Sequence, residues 1–519
     1  MSTASHEHKI TKSASVVGIA TVLSRILGYT RDACIAYVFG AGIYSDAFFV
    51  AFRIANFLRR LLGEGALTSS FIPIFTEERL VRDKDGANAL VSSVLTLFTL
   101  ILIGLSVLGI IFSKQLVWLM SPGFASDPEK FAVTVTLTQL MFPYMVFVGL
   151  MAIAMGVLNS FKKFAAPAIS PVFFNLSLIL SVFVITPFFT KSVYALSIGV
   201  LLGGFLQFAV QIPFLKKVGI TIRPLFKFSD PAIKKIFLLM LPAAFGVGVY
   251  QFNIFVTLWF ASKLEGGSVS YLYYAGRIME LPIGIFSDAV GTAVLPSLCE
   301  HVIKGEWDAF KGSLAFALRI VSFVTIPATV GLIVLSYPIV ETLFRRGQFN
   351  LGAASATSAV LSFYAIGLVP ISACRLLTAV FYSLKDTVTP VWIAFASFIV
   401  NLILCIVLVG PLKYGGLALA TSLSGFVNMF GLFIMLKLRF GTFGGRAILV
   451  SALKSSAAAL ITGVVVYLMV AKLGYAGMGT SLKPAFIVVT VVIGVLTYIG
   501  TSRVFRSPEL TFLKTFLRR

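Results

Sequence analysis

The chain puts ionisable side chains inside stretches that are otherwise apolar enough to cross a bilayer. Ser24-Arg25-Ile26-Leu27-Gly28-Tyr29-Thr30-Arg31-Asp32 holds two arginines and an aspartate; Asp46, Arg53, Arg59 and Arg60 follow in the next apolar stretch, and Arg277 in a much later one. A charge at the bilayer centre costs about 2.5–3.5 kcal/mol even on a lenient insertion scale, so such residues face a polar interior or a partner. Guanidinium groups stay charged, their planar forks pair with two phosphate oxygens at once, and a partly dry setting strengthens the attraction. Arginines in excess of nearby carboxylates are suited to capturing an anion, a pyrophosphate in particular.

Spacing refines this. Arg25 and Asp32 are seven residues apart and share a helix face, whereas Arg31 is expected about 120° away. Either Arg25 forms one neutral pair with Asp32 that joins two helices, or it faces a ligand. Asp46, Arg53 and Arg60 recur every seven residues as a second stripe; Arg59 lies off it unless the glycines flanking Glu64 kink the helix. Arg60 could also snorkel to the membrane edge. Arg277 has Glu280 as its i+3 neighbour and Pro282 beyond, where a freed carbonyl is tolerable beside a wet cavity. Arg319 and Arg375 stand alone and are expected at helix interfaces.

The elements that must position these residues are membrane helices. Of 519 residues 58% are apolar and 12% charged, with mean hydropathy +0.98, against about 25% charged in soluble domains. The net charge of +22 is dispersed among loops and apolar runs, which argues against nucleic acid. Four cysteines lie far apart without a CxxC pair, so no metal or redox role is expected. His6, His8 and His301 are expected to be solvated. A membrane enzyme acting on a lipid pyrophosphate would need clustered carboxylates for a metal, or a His/Asp pair, within the spans; neither is present, and no G-x-x-x-x-G-K-[ST] loop for ATP exists. Charge follows the first residues directly, so no cleaved signal peptide is expected.

At about 20 residues per crossing, spans are predicted near 14–40, 45–75, 88–112, 132–158, 167–188 and 193–215, then 236–262, 268–298, 313–336, 355–383, 389–409 and 414–437, and finally 447–471 and 484–502. With the N-terminus inside, 24 loop and tail Lys and Arg fall on the cytoplasmic side and nine outside, so both termini are expected in the cytoplasm. An internal repeat has an offset of 223: Asn159-Ser160-Phe161-Lys162 matches Tyr382-Ser383-Leu384-Lys385, Ile72-Pro73 matches Leu295-Pro296, Val117 matches Val340, and with one gap Arg53-Ile54 matches Arg277-Ile278. Six spans per copy make the repeats parallel, with a site between the halves. The expected fold is an all-α polytopic membrane protein of about 14 transmembrane helices. Residues 1–225 form an N-lobe, 226–440 a C-lobe, and 441–519 two further helices with a basic tail.

Ser24-Arg25-Ile26-Leu27-Gly28, Arg31-Asp32, Ser45-Asp46-Ala47-Phe48-Phe49-Val50-Ala51-Phe52, Asn56-Phe57-Leu58-Arg59-Arg60, Glu64-Gly65-Ala66, Tyr273-Tyr274-Ala275-Gly276-Arg277 and Phe381-Tyr382-Ser383-Leu384-Lys385-Asp386-Thr387 resemble the signature of the MurJ (MviN) lipid II flippases over essentially the whole chain. The resemblance implies the fold of the multidrug/oligosaccharidyl-lipid/polysaccharide exporter superfamily. It also implies transfer of undecaprenyl-pyrophosphate-linked peptidoglycan precursor from the inner to the outer leaflet of a bacterial inner membrane by alternating access. The alternative is a related exporter of another prenyl-pyrophosphate-linked oligosaccharide. Headgroup-binding positions carried over are Arg25, Arg31, Asp46, Arg59 and Arg277, with Asp32, Arg53, Glu64 and Glu280 as weaker candidates. Some relatives have an acidic residue before the arginine at 277, where this chain has Gly276, and some bind sodium through carboxylates where this chain offers Gln251, Asn253 and Asn401. No cofactor is expected; the membrane potential, worth about 2.3 kcal/mol per charge per 100 mV, or an ion gradient is the expected drive. The expected partners are lipid II and membrane lipids, with the monomer as the functional unit.

Overall fold

The computed structural model describes residues 3–59 and 68–510, and among them every regular element is helical. Two compact units, Met1–Val269 and Ser270–Arg519, divide the chain. The first contains α1 (Thr3–Phe39), α2 (Ile43–Arg59), α3 (Thr68–Val81), α4 (Lys84–Ile111), α5 (Ser113–Met120), α6 (Pro128–Met141), α7 (Tyr144–Ser160), α8 (Ala165–Leu180), α9 (Tyr194–Ala209), α10 (Ile212–Lys217) and α11 (Pro231–Ser262). After α12 (Ser268–Pro282) come α13 (Asp288–Lys304), α14 (Trp307–Val334), α15 (Ser336–Phe344), α16 (Leu351–Ile366), α17 (Leu368–Ser383), α18 (Val388–Phe440), α19 (Gly445–Lys472) and α20 (Lys483–Val504).

Among the described residues eight helical stretches are long and apolar enough to cross a membrane alone, and a ninth if α16 and α17, bent by 44°, act as one. Within the stretch expected as a single span over 45–75, the described residues belong to α2 up to Arg59 and to α3 from Thr68, and α3 continues to Val81. The two spans expected at 389–409 and 414–437 form one helical run, α18, broken at Lys413 (φ 48°, ψ −130°) behind Pro411. Proline supplies no N–H to the ladder, so the chain folds back there. A Cβ at Gly416 would lie 2.2 Å from the carbonyl oxygen of Leu408, so this hairpin needs glycine. His301, expected in a solvated loop, sits in the last turn of α13 with Nδ1 2.8 Å from the Glu306 carboxylate.

The backbone punctuation recurs at the offset read from the sequence. Helices α4 and α14 are each 28 residues long, and each ends at a bent joint, Phe112 (φ −93°, ψ 13°) or Leu335 (φ −94°, ψ 9°). Asp127 caps α6 through Glu129 N and Lys130 N, and Asn350 caps α16 through Ala353 N. Lys162 and Lys385 both take a left-handed conformation (φ 56° and 60°). Beyond them Lys163 N donates to Leu158 O and Asp386 N to Phe381 O, closing the ends of α7 and α17 identically. A lysine there costs about 1–2 kcal/mol of backbone preference, so its appearance twice reflects a shared design. The cores coincide as well: Phe75, Val91, Ile153, Val157 and Leu158 are buried in one unit, and Leu298, Leu314, Leu376, Val380 and Phe381 in the other.

Lipid tails are as apolar as leucine, so close approach and hydrogen bonds hold membrane helices together. On α9 a Cβ at Gly199 would meet Ser181 Oγ at 2.3 Å and one at Gly203 would meet Phe174 at 2.7 Å, while Ser177 Oγ donates to Gly199 O at 2.7 Å. This contact sets the position of α8 and of the Asn175 it carries. In the second unit α19 and α20 are tied down at both ends. Glu509, 1% exposed, accepts from Arg319 Nε (2.7 Å) and Ser451 Oγ (2.8 Å). Glu341 takes Lys483 Nζ at 3.0 Å and also Arg345. Arg319, isolated in sequence, is thus a packing residue with a partner 190 positions away.

Where α3 ends and α11 begins, Arg82 clasps Asp230 with both terminal nitrogens (2.5 and 2.9 Å), and Asp230 also caps α11 through Ala232 N. Those hydrogen bonds from Arg82 hold the Asp230 carboxyl below the usual carboxylate range. Its stabilisation is therefore complete above the unfolded value near 3.9 and is lost as pH falls through the lower folded value. Asp230→Asn keeps a capping side chain but removes the charge. It is expected to lower stability by about 1 kcal/mol at pH 7 and to flatten the acid limb below about pH 4, measured as detergent-solubilised melting temperature against pH.

Candidate functional site

The first cluster grows from α1. Its buried stripe, Ala20, Gly28, Arg31, Asp32, Ile35 and Ala36, recurs at the three- and four-residue spacing that turns one helix face toward α8. Arg31 Nε and Nη2 donate to Asp32 Oδ1 at 2.9 and 2.7 Å, and Nη1 donates to Asn175 Oδ1 on α8 at 3.0 Å. Asn175 Nδ2 in turn donates to Ser24 O at 3.0 Å, and Phe174 lies 5.9 Å from the guanidinium. Arg31 and Asn175 are 8% and 6% exposed and Asp32 is fully buried. The neutral pair that sequence spacing offered to Arg25 and Asp32 is formed by Arg31 instead, because long adjacent side chains can bend toward each other where their Cβ directions diverge. Arg25 remains on the face of Asp32, exposed, without an ion pair or hydrogen bond among the described residues.

The second cluster surrounds the start of α2. Asp46, 1% exposed, lies in the first turn, where the helix N-terminus favours a carboxylate. Its Oδ2 accepts Lys130 Nζ of α6 at 2.8 Å and the backbone N–H of Gly267, just before α12, at 2.8 Å. Lys130 is itself 6% exposed and sits 4.0 Å from the Phe124 ring. Sequence spacing had put Lys130 in an outer loop. It is a buried counter-ion, so the Asp46 carboxylate is neutralised and does not repel an incoming anion. Arg53 stands two turns further along α2, half-buried, beside the stack of Phe48 and Phe52 on Tyr144 and Phe174. Arg60 and Glu64 lie outside the described residues, as does the side chain of Arg59.

The third group is on α12. Tyr274 packs fully buried against Phe344 and Phe349 and turns Arg277 to a partly exposed position. Arg277 Nη1 donates to Glu280 Oε2 at 2.5 Å, the carboxylate side chain being 57% exposed. Exposed ion pairs of this kind are worth only about 0–1 kcal/mol. A Cβ at Gly276 would meet nothing within 4 Å, and the acidic neighbour of Arg277 is Glu280, one turn on. Gln251 and Asn401 are buried amides.

Sequence reasoning missed Lys130, Asn175 and Gly267. Asn175 was legible as a polar residue in an apolar run, whereas the backbone N–H of Gly267 leaves no trace in side-chain patterns.

A family model described as "Lipid II flippase MurJ" matches residues 35–487. The chain belongs to the MurJ family. The "Lipid II flippase MurJ" of Burkholderia cenocepacia is 38% identical over 423 residues, covering 81% of this chain and 82% of that protein. A solved MurJ in an inward closed conformation aligns with TM-score 0.79 and 30% identity, over 94% of this chain and 98% of the other. An inward-facing multidrug MATE transporter of the MOP superfamily shares the fold, with TM-score 0.67 at 15% identity over 80% of this chain and 94% of that one. MurJ is a transporter, and this chain is a multi-span membrane protein of that bacterial family.

In this MurJ-family chain the Lys130–Asp46 pair is buried on both sides, so removing one partner strands a charge. Lys130→Met is expected to destabilise the folded protein by about 3–5 kcal/mol. Adding Asp46→Asn should recover more than half of that loss. A double-mutant cycle from denaturant unfolding in detergent checks the coupling; additive effects would show that the two side chains act independently.

Proposed function

We propose that this chain is a flippase for lipid II, moving the undecaprenyl-pyrophosphate-linked peptidoglycan precursor from the inner to the outer leaflet of the bacterial inner membrane for cell wall synthesis. Family membership over nearly the whole chain carries this reading. The arginines supply its chemistry: Arg25, Arg59 and Arg277 receive the pyrophosphate and adjoining sugar, with Arg53 in support. Arg31 and Asp46 act from within neutralised clusters and set geometry and local field. Arg25, exposed and without a partner among the described residues, and Arg277, held by an exposed carboxylate, meet the headgroup directly. Binding energy that a phosphate gains from a guanidinium in a partly dry site offsets the loss of its hydration.

Transport proceeds by alternating access, with the prenyl chain left in lipid throughout. The fold that goes with this reading has fourteen spans in two parallel six-helix repeats plus α19 and α20; the recurrence of helix lengths, joints, caps and core positions at one offset supports the duplication. Both termini lie in the cytoplasm by the distribution of Lys and Arg. The monomer suffices, no cofactor takes part, and the membrane potential or an ion gradient supplies the drive.

Arg25→Ala and Arg277→Ala are each expected to cut precursor transfer by tenfold or more, the loss of a charge-assisted hydrogen bond of about 1.5–3 kcal/mol, at unchanged membrane abundance. Arg25→Lys should keep part of the activity, since it preserves charge but loses the planar fork. Leaflet sidedness of labelled lipid II in cells depleted of their own flippase measures this. Normal outer-leaflet arrival with both alanine variants overturns the assignment.

A further inference from the structure

The α18 hairpin contains a groove that the arginine clusters do not use. Thr389, Trp392, Ile393 and Ala396 on its first arm and Val427, Gly431 and Met435 on its second line a cavity of about 350 Å³. Both sets follow helical spacing, so two faces oppose each other along about 11 Å, two turns of helix. Gly431 makes the floor: a Cβ there would meet Ile393 Cγ2 at 2.7 Å. Thr389 and the indole N–H of Trp392 are the polar groups of the lining, and Thr389 stands at the mouth.

The mouth is basic. Arg439 Nη2 lies 2.6 Å from Asp386 Oδ2 and donates to Thr389 Oγ1 at 3.3 Å. Its Nε and Nη1 have no hydrogen-bond partner among the described residues, and the side chain is 43% exposed. Asp386 is meanwhile occupied by Thr389 N, Val388 N and Thr389 Oγ1. Lys385 and Lys437 are exposed at the same end of the hairpin, so three cations face one carboxylate. That end is where a membrane-crossing stretch begins and finishes, at headgroup depth. Trp392, 67% exposed, sits one turn inward, as tryptophans do at bilayer interfaces.

We propose that this groove binds an anionic membrane phospholipid, with one acyl chain between the arms of α18 and the phosphate on the unused face of Arg439. Basic pockets between membrane helices select anionic headgroups in this way, and a methionine-lined wall adapts to an irregular chain. The length favours an acyl chain over a polyprenyl tail. A groove of about 11 Å fits within one leaflet, half of a ~30 Å hydrocarbon core, and ends there. The site contains none of the arginines assigned to lipid II, so its test is independent of the flippase reading.

Full-length protein in mild detergent, supplied with phosphatidylglycerol and phosphatidylethanolamine and examined by native mass spectrometry, should retain one phosphatidylglycerol. Ala396→Trp and Val427→Trp fill the groove from opposite arms, and each should lower retention about tenfold, with melting temperature confirming that each is folded. Arg439→Gln should still hold a lipid but lose the preference for phosphatidylglycerol. Undiminished retention in both tryptophan variants overturns the proposal. An unchanged phosphatidylglycerol preference in Arg439→Gln overturns the assignment of the phosphate to that residue.

Discussion

A charge carried into hydrocarbon must find a partner, and that requirement shapes this molecule more than any hydrophobic contact does. Asp46 finds Lys130 and the Gly267 amide; Arg31 finds Asp32 and Asn175; Glu509 finds Arg319 and Ser451. Each set links elements that apolar packing alone would leave free to slide, because a helix gains nothing by exchanging lipid for leucine. The buried pairs thus specify register as well as charge balance. Their worth as net stabilisation is small, whereas the cost of breaking one is large.

Against that background the arginines divide by environment. Arg31 is neutralised and immobile, anchored through α8 by the close approach of α9. Arg25 and Arg277 keep guanidinium surface exposed. Lys130 belongs with the paired group, since it compensates the buried Asp46 carboxylate.

The scaffold repeats at the level of backbone punctuation. Two left-handed lysines closing α7 and α17, two bent joints after 28-residue helices and two side-chain caps stand 223 residues apart. These features are carried by few residues and depend on local geometry, so they persist where surface sequence drifts. The units differ in decoration: the first carries the buried ion pairs around α1 and α2, while the second carries Arg277, the clasps that hold α19 and α20, and the α18 groove.

Composition and apolar length established a polytopic helical membrane protein, and the Ser24–Asp32 and Ser45–Arg60 motifs pointed to an anion-handling transporter, because a charge in an apolar run has few tolerable explanations. Side-chain period also placed Arg277 next to Glu280. What tertiary structure decided was which charges neutralise each other. Asp32 took Arg31 instead of Arg25, and Asp46 took a lysine 84 positions away and a backbone N–H 221 positions away. Helical periodicity reports the direction of Cβ, whereas ion pairing depends on the last few ångströms of flexible side chains and on which helix the chain folds alongside. The groove inside α18 likewise arose from how helices meet, which no single stretch of sequence encodes.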